Sequence, residues 1–150
     1  MKNKDLKALT DYFGRQMPIE KITNRDTRIA IIGLYASLAR AWDEKEKDIN
    51  SVRTKLLEGH EEDFLLYSQL LYENTEESKQ KAADMKECVR IDEDFQQAVN
   101  TILEEENPCS IKKVPLELLF DALLDCGFPG LNNEAISIML IQKLFNDVIE

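Results

Sequence analysis

Residues 24–59 read NRDTRIAIIGLYASLARAWDEKEKDINSVRTKLLEG. Asn24 or Asp26 can cap a helix at the front of this stretch, and Gly59 supplies a stop at its end. Between them only Gly33 works against a continuous helix from about 25 to 58. The stretch belongs to a wider span: from Pro18 to Pro108 the chain runs 89 residues without proline, and Gly33 and Gly59 are its only glycines. Proline and glycine are the strongest breakers of regular structure, so most of the chain is expected to be helical. A helix of about 30 residues is about 45 Å long. That is too long to lie hidden in a compact domain of this size, so it needs a partner helix.

The long helix has two characters. From Ile29 to Trp42 it is apolar nearly all round, the mark of a helix buried on several sides. Beyond Trp42 the apolar residues thin to a stripe of Ile49, Val52 and Leu56, which continues the spacing of Ile31, Tyr35, Leu38 and Trp42 at about three and four, the coiled-coil rhythm. Lys45 alone breaks the register.

Past Gly59 and His60 a third helix is expected over about 61–90. It opens with Phe64, Leu65, Leu66, Tyr67, Leu70, Leu71 and Tyr72, turns polar through Glu73–Lys81, and resumes an apolar stripe at Ala82, Met85 and Val89. An antiparallel fold-back at Gly59 sets Leu56 near Phe64–Leu65, Trp42 near Lys79 and Leu38 near Ala82–Ala83. It also matches the polar stretch Asp43–Asp48 with Glu73–Lys79, and two patterns agreeing under one fold-back support a helical hairpin.

The flanks are shorter elements. Residues 4–17 form an amphipathic helix with Leu6, Leu9, Tyr12 and Phe13 on one face, ended by Pro18. Asp92 or Asp94 can cap a helix bearing Phe95, Val99, Ile102 and Leu103, which closes at Asn107-Pro108. Residues 109–114 are extended or loop, with room for one short strand. Pro115 opens a helix to Cys126, Gly127 stops it, and Asn132 or Asn133 caps a last helix apolar enough to belong in the core. The fold expected is all-α: a long antiparallel hairpin (about 25–58 and 61–90) on a small bundle of N- and C-terminal helices. The 150 residues form one domain, with 43–80 as the hairpin's projecting part.

Composition narrows the function. The net charge of −10 is uneven: residues 1–42 carry eight Lys/Arg and four Asp/Glu, residues 43–107 eight against nineteen, and residues 108–150 three against six. Phosphate contacts need Lys and Arg, so the acidic middle argues against direct nucleic-acid binding. The N-terminal sequence lacks the apolar run of a signal peptide, and no stretch approaches the ~20 apolar residues of a membrane span. A cytoplasmic protein that does not enter a membrane is expected. Cys88, Cys109 and Cys126 are odd in number and widely spaced, which suggests neither a disulfide framework nor a zinc site.

No catalytic or cofactor motif is present. His60 is the only histidine, too few for a histidine-based metal site. Asp92-Glu93-Asp94 begins like a calcium loop, but Gln97 and Leu103 stand where that loop needs glycine and a carboxylate. The chain is expected to be no enzyme and to hold no cofactor or metal. The candidate interaction site is Phe64, Leu65, Leu66, Tyr67, Leu70, Leu71 and Tyr72, a face wider than one partner helix covers. The C-terminal helices fold over it, or it meets its own copy, or it docks another protein.

The order of features resembles a family of small bacteriophage helical proteins encoded among virion structural genes. The corresponding residues are Met17-Pro18-Ile19-Glu20-Lys21, the Glu-rich stretch Asp43–Asp48, Arg53-Thr54-Lys55-Leu56-Leu57, Phe95–Leu103 and Ile111-Lys112-Lys113-Val114. The family carries no established activity, so the resemblance implies a phage or prophage setting and nothing catalytic. The function expected is that of a non-enzymatic interaction protein in an assembly or accessory role. The alternative is an acidic mimic of DNA that occupies a host nucleic-acid-binding enzyme. Such a mimic needs uncompensated carboxylates, whereas Lys45, Lys47, Lys79, Lys81 and Lys86 interleave with them.

Overall fold

A computed structural model describes residues 1–150. It holds seven α-helices: α1 (Asn3–Asp11), α2 (Arg25–Leu57), α3 (Glu61–Glu73), α4 (Glu76–Asp84), α5 (Lys86–Glu104), α6 (Leu116–Asp125) and α7 (Glu134–Phe145). There is no strand, only the isolated bridges Lys2↔Glu106 and Val114↔Ile149, and the chain is all-α. It divides into two compact units, Met1–Glu44 with Glu105–Glu150, and Lys45–Glu104. The second unit therefore takes in α5 as well as most of the stretch 43–80.

The first unit is built on the apolar half of α2. Asn24 caps that helix, its Oδ1 accepting from Thr27 N at 3.0 Å. Ile31, Leu34, Leu38 and Ala41 face a core shared with Leu6, Leu9 and Phe13 from the N-terminal segment, Leu119 and Leu123 from α6, and Ile141 and Phe145 from α7. Tyr12, Phe13, Phe128 and Phe145 form an aromatic cluster with ring centroids 5.2–6.0 Å apart. Each fully buried large side chain contributes about 1.5–3 kcal/mol. A π-helical turn, Tyr12–Gln16, ends the N-terminal helix and puts Gly14 against the Tyr35 ring. A Cβ at Gly14 would lie 2.6 Å from Tyr35 Cε2.

Polar contacts fasten the segments of this unit. Thr23 donates from N and Oγ1 to Asp125 Oδ2, both at 3.0 Å. Val114 N donates to Val148 O and Glu150 N to Val114 O. Lys112 N donates to Ser37 Oγ at 3.0 Å, and the Lys112 side chain lies over Gly33, where a Cβ would come within 3.1 Å of Nζ. Two expectations are corrected here. The all-round apolar stretch 29–42 leaves Ile29 and Ile32 exposed, and α7 leaves Ile136, Met139 and Leu144 exposed while burying Ser137, Ile141 and Phe145. In both helices the neighbours reach one face only.

The second unit has a thinner interior. Tyr67, Ala82 and Cys88 are buried together, with Phe64, Leu70, Met85 and Val89 packed against them. The α2–α3 turn is as expected from Gly59, which takes a left-handed φ of 82°, and His60 N donates to Leu57 O at 2.8 Å.

The single long arm over 61–90 is corrected. It is broken twice, by Asn74 in the left-handed region (φ 55°, ψ 36°) and by Met85 in a non-helical conformation (φ −80°, ψ 68°). Asn is among the few residues that take the left-handed region readily. Thr75 and Ser78 then form a reciprocal capping box, Ser78 N donating to Thr75 Oγ1 and Thr75 N to Ser78 Oγ. The cap starts α4, and α3 and α4 fold back on each other. Ala82 accordingly packs with Tyr67 and Cys88, while Leu38 and Trp42 pack in the first unit's core. The pairing of Leu38 and Trp42 with 79–83 is thereby replaced. Asp92 and Asp94 start no helix, since α5 runs unbroken through both.

Candidate interaction surface

The apolar face of α3 divides by helical position. Tyr67 is buried, and Phe64 and Leu70 pack beside it against residues of α4 and α5. Leu65 is 61 % exposed, Leu66 51 %, Leu71 44 % and Tyr72 91 %. Of the seven candidate residues, three thus complete the unit's own core and four face solvent. An exposed leucine is ordinary by itself; Leu65 and Tyr72 are neighbours seven residues apart on one side of α3, Leu71 flanks them, and Leu66 stands alone on the other side.

One flank of α3 continues into a cavity of about 230 Å³. Its walls are Arg53, Leu56 and Leu57 from α2, Phe64, Tyr67, Ser68 and Leu71 from α3, and Ile91, Asp92, Phe95 and Gln96 from α5. Leu56 and Phe64 line the same cavity on either side of the turn at Gly59. Helix spacing places Ser68 and Leu71 on the wall and carries the surface round to Leu65 and Tyr72 on the adjoining side of α3. Leu66 lies on the opposite side, beyond Leu70.

Arg53, Tyr67, Ser68, Asp92 and Gln96 bring polar groups among the apolar wall residues, and two of these are bonded to each other. Tyr67 Oη donates to Asp92 Oδ2 at 3.3 Å. Burial, and then the Asp92 carboxylate, raise the Tyr67 phenol above its ordinary range, so the phenol stays a donor. Asp92 keeps further acceptor sites. Arg53 is exposed on the α2 wall.

The other sequence candidates lie apart from this groove. His60 sits in the α2–α3 turn, where its backbone oxygen accepts from Phe64 N. The three cysteines are free. Cys88 is raised by burial and then by Asp63, and Cys126 by burial and then by Asp125, so both favour the thiol. No three His, Cys, Asp or Glu side chains come together as a metal site would need, and no helix is long and apolar enough to cross a membrane.

Arg53, Asp92, Phe95 and Gln96 belong to the groove although the sequence reading gave them no role there. The signal was present in α5: Cys88, Ile91, Phe95, Val99 and Ile102 keep one helical face through the acidic run. Reading Asp92 as a cap cut that face in two. Comparison with protein-family models, with curated proteins and with solved structures finds no match.

Proposed function

We propose that this protein is a non-enzymatic helical interaction protein that docks a protein partner through α3 of its second unit, in an assembly or accessory role. The observation that carries the reading is that α3, already packed through Tyr67, still presents Leu65, Leu71 and Tyr72 to solvent on and beside the wall of a groove, with Leu66 exposed on its other side. Burying such side chains against a partner is worth about 25 cal/mol per Å² of apolar surface, and tyrosine serves an interface with an apolar body and a polar tip. The phage or prophage setting rests on the resemblance of residues 17–21, 43–48, 53–57, 95–103 and 111–114 to the bacteriophage family.

Imitation of DNA is the weaker reading. Lys45 pairs with Asp48 at 3.4 Å, Lys81 with Glu77 at 3.2 Å, and Arg90 with Glu87, which interrupts a row of bare carboxylates. The test is complex formation by the whole chain, followed by light scattering at several concentrations and by affinity capture. Leu65→Glu with Tyr72→Glu should abolish the complex while helix content and thermal midpoint hold. A strict monomer whose capture profile is the same with and without the substitutions contradicts the reading. Capture that vanishes at high salt and is displaced by duplex DNA points to phosphate imitation instead.

A further inference from the structure

We infer that the groove between α2, α3 and α5 receives a basic amphipathic helix, its apolar edge on the groove floor and a Lys or Arg against Asp92. This rests on the reading of α3 as a docking surface and names the kind of partner. Size speaks first. The cavity is about 230 Å³, below the ~300–1,000 Å³ of pockets that enclose a whole small molecule. It suits a few side chains delivered from outside. Phe64 and Leu71 stand seven residues apart on one wall, about 10 Å or two helical turns. A partner helix meets such a span with apolar residues at i, i+3, i+4 and i+7.

Charge decides between occupants. Between Lys45 and Glu104 fifteen Asp/Glu stand against eight Lys/Arg. A second copy would bring an equal surplus of negative charge to the same face, and like charges across an interface repel. A cationic helix is drawn in by the same field. Asp92 gives that attraction a fixed point, because it faces the groove and one neutral donor, Tyr67 Oη, engages it at 3.3 Å. A charge-assisted bond from Lys or Arg is shorter and stronger than the phenol's. Glu61 stands one turn before Phe64 on the same face of α3 and adds a negative charge at that end. Arg53, exposed on the α2 wall, repels a second cation there and so orients the guest.

The experiment uses the full chain and three labelled peptides of about 14 residues, four helical turns. One is an amphipathic Leu/Lys helix, one has the same composition scrambled, and one is the Leu/Glu counterpart. Fluorescence anisotropy at low and high salt should show the amphipathic Leu/Lys peptide binding at least about ten-fold tighter than the scrambled one, a difference of about 1.4 kcal/mol, and the Leu/Glu peptide not binding. Leu71→Asn should weaken the amphipathic peptide at both salts. Asp92→Asn, which keeps an acceptor for Tyr67, should weaken it at low salt more than at high. Equal binding of scrambled and amphipathic peptides, tight binding of the Leu/Glu peptide, or indifference to both substitutions would overturn the inference. So would a homodimer that the peptide does not displace. If no peptide binds while Leu65→Glu with Tyr72→Glu still breaks a native complex, the basic-helix inference fails and the docking reading stands. If those outer substitutions break nothing, the docking reading itself fails.

Discussion

The two units of this chain bury apolar surface on different scales. The first closes Phe13, Leu6, Ile31, Leu34, Leu38, Leu119, Leu123 and Ile141 completely away from solvent. The second buries Tyr67, Ala82, Cys88 and Ile91 and packs Phe64, Leu70, Met85 and Val89, partly exposed, against the first three. Local stability follows buried apolar contact, so the first unit is the scaffold. The second leaves Leu65, Leu66, Leu71 and Tyr72 at the surface. One long helix serves both roles because its sequence changes character at Trp42, from apolar all round to a single stripe.

The sharpest way to break the comparison is to open the first core. Phe13→Ala removes a ring from the aromatic cluster and should cost about 3–5 kcal/mol. Trp42, packed against the same core, reports the loss by fluorescence in a denaturant titration; a cost below about 1 kcal/mol would deny the scaffold its status. Next comes Gly14→Ala. Its new Cβ meets the Tyr35 ring, and overpacking of this kind costs about 1–3 kcal/mol. An unchanged thermal midpoint would show that the ring moves aside freely. In the second unit Thr75→Ala removes the cap of α4, with an expected cost of about 1 kcal/mol. Amide exchange should quicken in α3 and α4 and hold steady in α6.

A pH titration sharpens the same contrast. Burial, and then Cys126, push Tyr12 up to about 12. The folded state thus favours the neutral phenol. Its contribution is complete below pH 10, the unfolded value, and is lost as the pH rises toward 12. The thermal midpoint of the first unit should fall across that window, and Tyr12→Phe should flatten the fall. An equal fall in the variant would place the titrating group elsewhere.

Much of the fold is legible in the sequence because its signals are local. Asn24 and Asn133 cap helices through their side chains, and Gly59 and Gly127 take the left-handed φ that ends them. The break at Asn74-Thr75 was hidden inside a polar run that also suits a helix surface, and only the reciprocal bonds of Thr75 and Ser78 decide it. The exposure of Ile136 and Met139 was hidden for a different reason. An apolar residue declares that it can be buried, and whether a neighbour reaches it depends on tertiary packing. The apolar run on α3 is legible in the sequence, but which of its residues point inward depends on α4 and α5, whose placement follows from the two breaks.

The acidic unit with the thin core is the proposed docking half of the molecule. Hydrogen–deuterium exchange of the full chain, with and without the amphipathic Leu/Lys peptide, tests it most directly. The account expects added protection in α3, α5 and the last turns of α2, with α1, α6 and α7 unchanged. Protection that appears instead over Ile136 and Met139 of α7, or nowhere, would contradict it.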